Sequence, residues 1–169
     1  MVKTPTLFAM VGYDTTIDAV VVAFMGSNST SNFILDAVII PSIYGAKSCL
    51  FCPVHLGFRN GIVSLNSLGL KKAISESIKQ HPSSKIIFTG HSLGGALANL
   101  AAVQYVEKHP DHKDVRLYTL GQPRVGGAGY AKYHESKVPH YFRLVHAKDL
   151  VPHKPALLKG GALFVHTGT

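Results

Sequence analysis

The 169-residue chain predicts a single α/β domain, a mainly parallel β-sheet with flanking helices. Three observations predict it. Short runs rich in β-branched and aromatic residues recur at 18–24, 85–89, 115–120 and 141–146. Stretches with helical spacing lie between them, and strands alternating with helices make parallel sheets with covered faces. Finally, the run Lys85 to Thr89 passes straight into Gly90-His91-Ser92-Leu93-Gly94-Gly95 and a small, apolar segment. That layout is a strand, a sharp turn and a helix.

Each element follows from its residues. The strand 18–24, Asp-Ala-Val-Val-Val-Ala-Phe, is Val-rich, and like every apolar run in the chain it is too short to cross a membrane. Residues 26–48 read as loop around one apolar island, Phe33 to Ile40. From Gly61 to Gln80, Ile62, Leu65, Leu68, Ala73, Ile74 and Ile78 recur with a 3.6-residue rhythm, so a helix is expected, with Gly69 as a point of interruption. It ends before His81-Pro82, because a residue preceding proline is pushed out of the helical region. A second helix runs from Ala96 to Lys108, with Lys108 and His109 at its negative end and Pro110 as a stop. Repeats, low-complexity tracts and internal linkers are absent, and residues 1–169 form one domain.

Composition narrows the function classes. Hydrophobic residues make up 46% and charged residues 15%, which excludes a mainly disordered chain. The net charge of +8 is scattered, without a run of five basic residues or a basic stripe with interleaved aromatics. Nucleic acid is therefore not the expected partner. A solvated surface, or a basic face towards anionic lipid, accounts for the charge. Cys49 and Cys52 form a C-x-x-C whose options are a redox pair, half a zinc site, or disulfide partners. With no second C-x-x-C and Pro53 following at once, a local or intermolecular disulfide in an oxidising compartment fits best.

The chemistry centres on Ser92. Gly90 and Gly94 flank it at the spacing of a nucleophile elbow, where side chains would collide with the adjoining strand and helix. The pentapeptide alone arises by chance in roughly one chain in twenty of this length, so the strand before it and the helix after it carry the assignment. The helix start supplies N–H groups and a positive dipole end for an oxyanion, and Leu93 N–H is the first donor. A second donor is expected from the loop after the Val-rich strand, where Ser27 follows Gly26. A serine nucleophile also needs a base and an acid that orients it, in the chain order Ser, acid, His. Among Glu107, Asp111, Asp114, Glu135 and Asp149, only Asp149 follows an apolar strand and sits in a Pro-bounded turn. His153 and His166 are the histidines after it. His153 is wedged between Pro152 and Pro155, and His166 lies three residues from the end, where chains fray unless tied down.

These pieces, in order, resemble the class 3 (fungal-type) triacylglycerol lipase family of α/β hydrolases. The matching segments are the strand and loop through Ser29, Val54-His55-Leu56-Gly57-Phe58, residues 86–102, residues 117–126 and residues 142–155. The resemblance implies an α/β-hydrolase-type sheet and a secreted serine esterase acting on glycerides or related esters, with no metal or organic cofactor. It implies Ser92 as nucleophile, Asp149 as triad acid, and Ser27 with Leu93 as oxyanion residues. It also implies that the island Phe33 to Ile40 corresponds to an amphipathic lid.

Departures accompany the match. Met25 stands where the family usually has Arg, and Phe33 where an aromatic, often Trp, is common. The segment Phe164-Val165-His166-Thr167-Gly168 resembles a family landmark that is not the catalytic histidine. The resemblance therefore implies a base downstream of these residues and a domain truncated at both ends. The alternative class is a catalytically inactive, lipase-like module that binds lipid or regulates.

Overall fold

The computed structural model describes residues 1–3, 6–26, 40–45, 49, 51–154 and 163–168. A six-stranded sheet runs through the molecule in the order β1 (Val2–Lys3), β2 (Phe8–Asp14), β3 (Ala19–Phe24), β6 (Lys85–His91), β7 (Val115–Leu120) and β8 (His140–Leu144). The first three strands pair antiparallel, and β3, β6, β7 and β8 pair parallel. A separate hairpin joins β4 (Pro41–Ile43) to β5 (Pro53–His55). Helices α1 (Leu56–Ser67) and α2 (Leu70–Gln80) connect β5 to β6, α3 (Leu93–Lys108) connects β6 to β7, and α4 (Ala128–Lys137) connects β7 to β8.

The predicted helix over 61–80 is two helices, broken at Gly69, whose φ of 101° lies in the left-handed region. The second predicted helix starts three residues early, at Leu93. Because the parallel strands are added in one direction, right-handed crossovers bring their helices to one face of the sheet. That face carries Val20, Val22, Phe24, Ile86, Phe88 and Leu117, all buried, with α3 packed across β3, β6 and β7 and α2 against β2 and β3. Helix α3 is buried nearly all round, from Leu93 to Val103, which is why its sequence is apolar without a stripe. Cys49 and Cys52 are bonded to each other, the local option among those the spacing left open.

Candidate active site

Ser92 sits at the apex between β6 and α3 with φ 55° and ψ −123°, a conformation that L-residues rarely adopt. The glycines beside it are there for steric reasons. A Cβ on Gly90 would run into the backbone of Gly94, and a Cβ on Gly94 into the carbonyl oxygen of Phe24 at the end of β3. The chain after β3 passes as closely on the other side, since a Cβ on Gly26 would stand 2.8 Å from the His91 carbonyl oxygen. The loop leaving β3 is thus stacked on the elbow. Leu93 opens α3, so its N–H has no acceptor within the helix and lies next to the serine. Ser27 and residues 33–39 of the apolar island lie outside the described residues. Ile40, at the island's end, is exposed, and its carbonyl accepts from Leu56 N–H at 2.8 Å.

Ser92 is 1% exposed, and its Oγ has no hydrogen-bond partner among the described residues. Its backbone N–H donates to Leu120 at 2.9 Å, and the next residue, Gly121, donates to Leu144 at 2.9 Å, lacing the carboxyl ends of β6, β7 and β8 together. Asp149 follows β8 on this rim. Its Oδ1 accepts from Val151 N–H at 2.9 Å, starting the short 3-10 helix Val151–His153 that Pro152 favours. Its Oδ2 lies over Gly121, where a Cβ would stand 2.6 Å from it and 3.4 Å from His91 Nε2. Ser92 and Asp149 therefore flank one turn, Leu120–Gly121. Gly121, with φ 56°, was not singled out from the sequence, although it opens the Gly121-Gln122-Pro123 segment after β7.

The other acids stand elsewhere. Glu107 accepts hydrogen bonds from Tyr44 and Tyr133, Asp114 pairs with Arg116 at 2.7 Å, and Glu135 is an exposed residue of α4. His166 departs from the expectation of a frayed end. Val165 pairs with Gly126, Thr167 Oγ1 accepts from Asn99 Nδ2 at 2.8 Å, and Gly168 N–H donates to Glu135 at 3.1 Å. The segment is held, yet His166 makes no hydrogen bond to Ser92 or Asp149, and its Nδ1 is buried without a partner. Burial, with Arg143 and Arg124 nearby, pulls its pKa down to about 4. Among the described residues no group of three or more His, Cys, Asp or Glu is placed to hold a metal.

Residues 21–159 match the family model for Lipase (class 3). The chain is similar to a lipase of Rhizomucor miehei, 36% identical over 162 residues that make up 95% of this chain and 43% of that protein. It is also 35% identical to a secreted mono- and diacylglycerol lipase A of Penicillium cyclopium, over 92% of this chain and 48% of that one. Its fold superposes with a TM-score of 0.85 on a triacylglycerol lipase whose catalytic centre is formed by a serine protease triad, at 34% identity, over 95% of this chain and 59% of that one. The chain thus spans less than half the length of the curated relatives it matches. Matched over most of its length, with the elbow and the rim acid on the sheet ends described above, the chain belongs to the class 3 lipase family.

Proposed function

We propose that this protein is a serine ester hydrolase acting on lipid esters of the acylglycerol type. The observation that carries this reading is the strained Ser92 at the apex of β6 and α3, its hydroxyl buried beside a helix start and under the loop that leaves β3. Ser92 Oγ attacks the ester carbonyl carbon, and its proton passes to a histidine oriented by Asp149. The carbonyl oxygen, now an oxyanion, is received by the N–H groups of Leu93 and Ser27. The same histidine returns the proton to the departing alcohol, and water then releases the acyl group from the serine. His166 is not bonded to either partner, which supports a base downstream of Thr169, as the resemblance implies.

Secretion is supported by the Cys49–Cys52 disulfide, a bond that persists in oxidising compartments, and by the secreted relative. The unpartnered Ser92 Oγ would equally suit a lipase-like module that binds lipid without hydrolysing it.

Hydrolysis of a soluble short-chain ester and of an emulsified acylglycerol by the encoded protein separates the two. The hydrolase reading expects turnover that Ser92→Ala abolishes and Asp149→Asn lowers by about 10⁴-fold. Undiminished turnover in Ser92→Ala would overturn it, and no turnover at all would favour the module.

A further inference from the structure

At the elbow, His91 is the last residue of β6 and the neighbour of Ser92, yet the hydrolysis assigns it no step. Ile86, Phe88 and Gly90 are buried towards α3, so strand alternation turns His91 to the other side of β6, where it is exposed at the carboxyl-end rim. Two glycines bracket its ring. A Cβ on Gly26, in the loop leaving β3, would stand 3.6 Å from His91 Nδ1, and a Cβ on Gly121, in the turn after β7, would stand 3.4 Å from His91 Nε2. The imidazole therefore spans the rim from the loop whose next residue is Ser27 to the turn that seats Asp149.

The point beside Gly121 is shared. The same added Cβ would stand 2.6 Å from Asp149 Oδ2, so Oδ2 and His91 Nε2 can be no farther apart than these two distances laid end to end. Asp149 Oδ1 already accepts from Val151 N–H at 2.9 Å, while Oδ2 accepts no hydrogen bond among the described residues. A carboxylate fixed at one oxygen still turns about its last torsion, which is broad. A donor on the second oxygen removes that freedom, and a hydrogen bond to a charged acceptor is among the stronger ones.

We propose that His91 is a positioning residue for the triad acid: its Nε2–H, directly or through one water, donates to Asp149 Oδ2 and holds the carboxylate against the base. The inference rests on the hydrolase reading, in which Asp149 orients that base. A carboxylate beside Nε2 selects the tautomer with the proton there, which leaves Nδ1 as an acceptor facing the loop of Gly26. The exposed ring has water at hand for the bridged form of the contact. A neutral imidazole, unlike Lys or Arg at the same place, orients the carboxylate without cancelling the charge that stabilises the protonated base.

Two substitutions in the encoded protein separate the hydrogen bond from packing. His91→Phe keeps a ring between the two glycines but no nitrogen, and His91→Gln returns a donor near the place of Nε2. Turnover of a soluble fluorogenic ester, the rate at which a fluorophosphonate labels Ser92, and the urea midpoint are measured for each. The expected result is kcat down about tenfold in His91→Phe with KM unchanged, most of it recovered in His91→Gln, and urea midpoints close to that of the wild type. In an Asp149→Asn background, His91→Phe should slow labelling no further, because the carboxylate through which it acts is gone. A His91→Phe variant as fast as the wild type, a Gln variant as slow as the Phe variant, or the same tenfold loss repeated on Asp149→Asn would overturn the proposal and leave Ser92 as nucleophile. Losses that track lowered urea midpoints in both variants would assign His91 to packing and overturn it equally. A wild type that neither hydrolyses the ester nor labels at Ser92 sinks the hydrolase reading, and the positioning role with it.

Discussion

Gly94, in the first turn of α3, lies against the carbonyl group of Phe24 so closely that no Cβ fits between them. This contact sets the distance between the elbow and the loop from β3, and hence between the two places from which oxyanion donors come. It is also the physical content of the glycine spacing around Ser92.

Gly94→Ala and Gly90→Ala should each destabilise the fold by about 3 kcal/mol, because the obstructing atoms are backbone and cannot rotate away. Gly12→Ala, in β2, is the matched control, since a Cβ there meets nothing within 4 Å. It should change stability by less than about 1 kcal/mol. Urea denaturation of the three variants tests the contrast, and equal midpoints would contradict it.

Gly121→Ala should act on turnover more than on folding. Left-handed backbone costs a non-glycine residue about 1 kcal/mol. The added methyl, however, would occupy the space filled by Asp149 Oδ2. The expected outcome is kcat down more than about tenfold with KM little changed, as for a group that acts in the transition state. An unchanged kcat would show that Asp149 does not need this seat.

A buried chain of side-chain hydrogen bonds ties residues 163–168 to the core. Tyr130 Oη–H donates to Asn99 Oδ1 at 2.8 Å, and Asn99 Nδ2 donates to Thr167 Oγ1 at 2.8 Å. Tyr130→Phe and Thr167→Val each leave one polar atom of fully buried Asn99 unpaired, at about 1–3 kcal/mol. Hydrogen exchange of the 163–168 amides should accelerate in Thr167→Val. Unchanged exchange would mean that the bridge Val165–Gly126 holds the segment alone.

His134 contributes, together with His166, to the acid side of the stability curve. It is wholly buried in α4 with neither ring nitrogen partnered, and burial lowers its pKa to about 3. In the unfolded chain it titrates near its ordinary 6.5. Between these values the unfolded state binds a proton that the folded state does not. Stability should therefore be fully present above pH 6.5 and fall as pH drops towards 3, by up to about 1.4 kcal/mol per pH unit. His134→Phe should flatten that slope in denaturation followed between pH 4 and 7. An unchanged slope would assign it to other groups.

How much of this was legible in the sequence depended on how local each signal is. The elbow was legible because a strand, two glycines and a helix start are adjacent residues, and Gly69 marked the break between α1 and α2. Helix α4 was missed because its buried face is Tyr130, Ala131 and His134, which do not read as an aliphatic stripe. The hairpin β4–β5 was missed because its strands have three residues each and both begin with proline. The docking of residues 163–168 rests on bonds to Asn99 and Glu135, more than thirty residues away, for which no local pattern exists.

The central claim is that Ser92 is the nucleophile, and covalent capture tests it most directly. The encoded protein is treated with a fluorophosphonate, digested, and the adduct mapped by mass spectrometry. One phosphonylated site is expected, Ser92, its labelling slowed by Asp149→Asn and absent in Ser92→Ala. An unlabelled Ser92 in the folded protein, or a label on another serine that persists in Ser92→Ala, would contradict it.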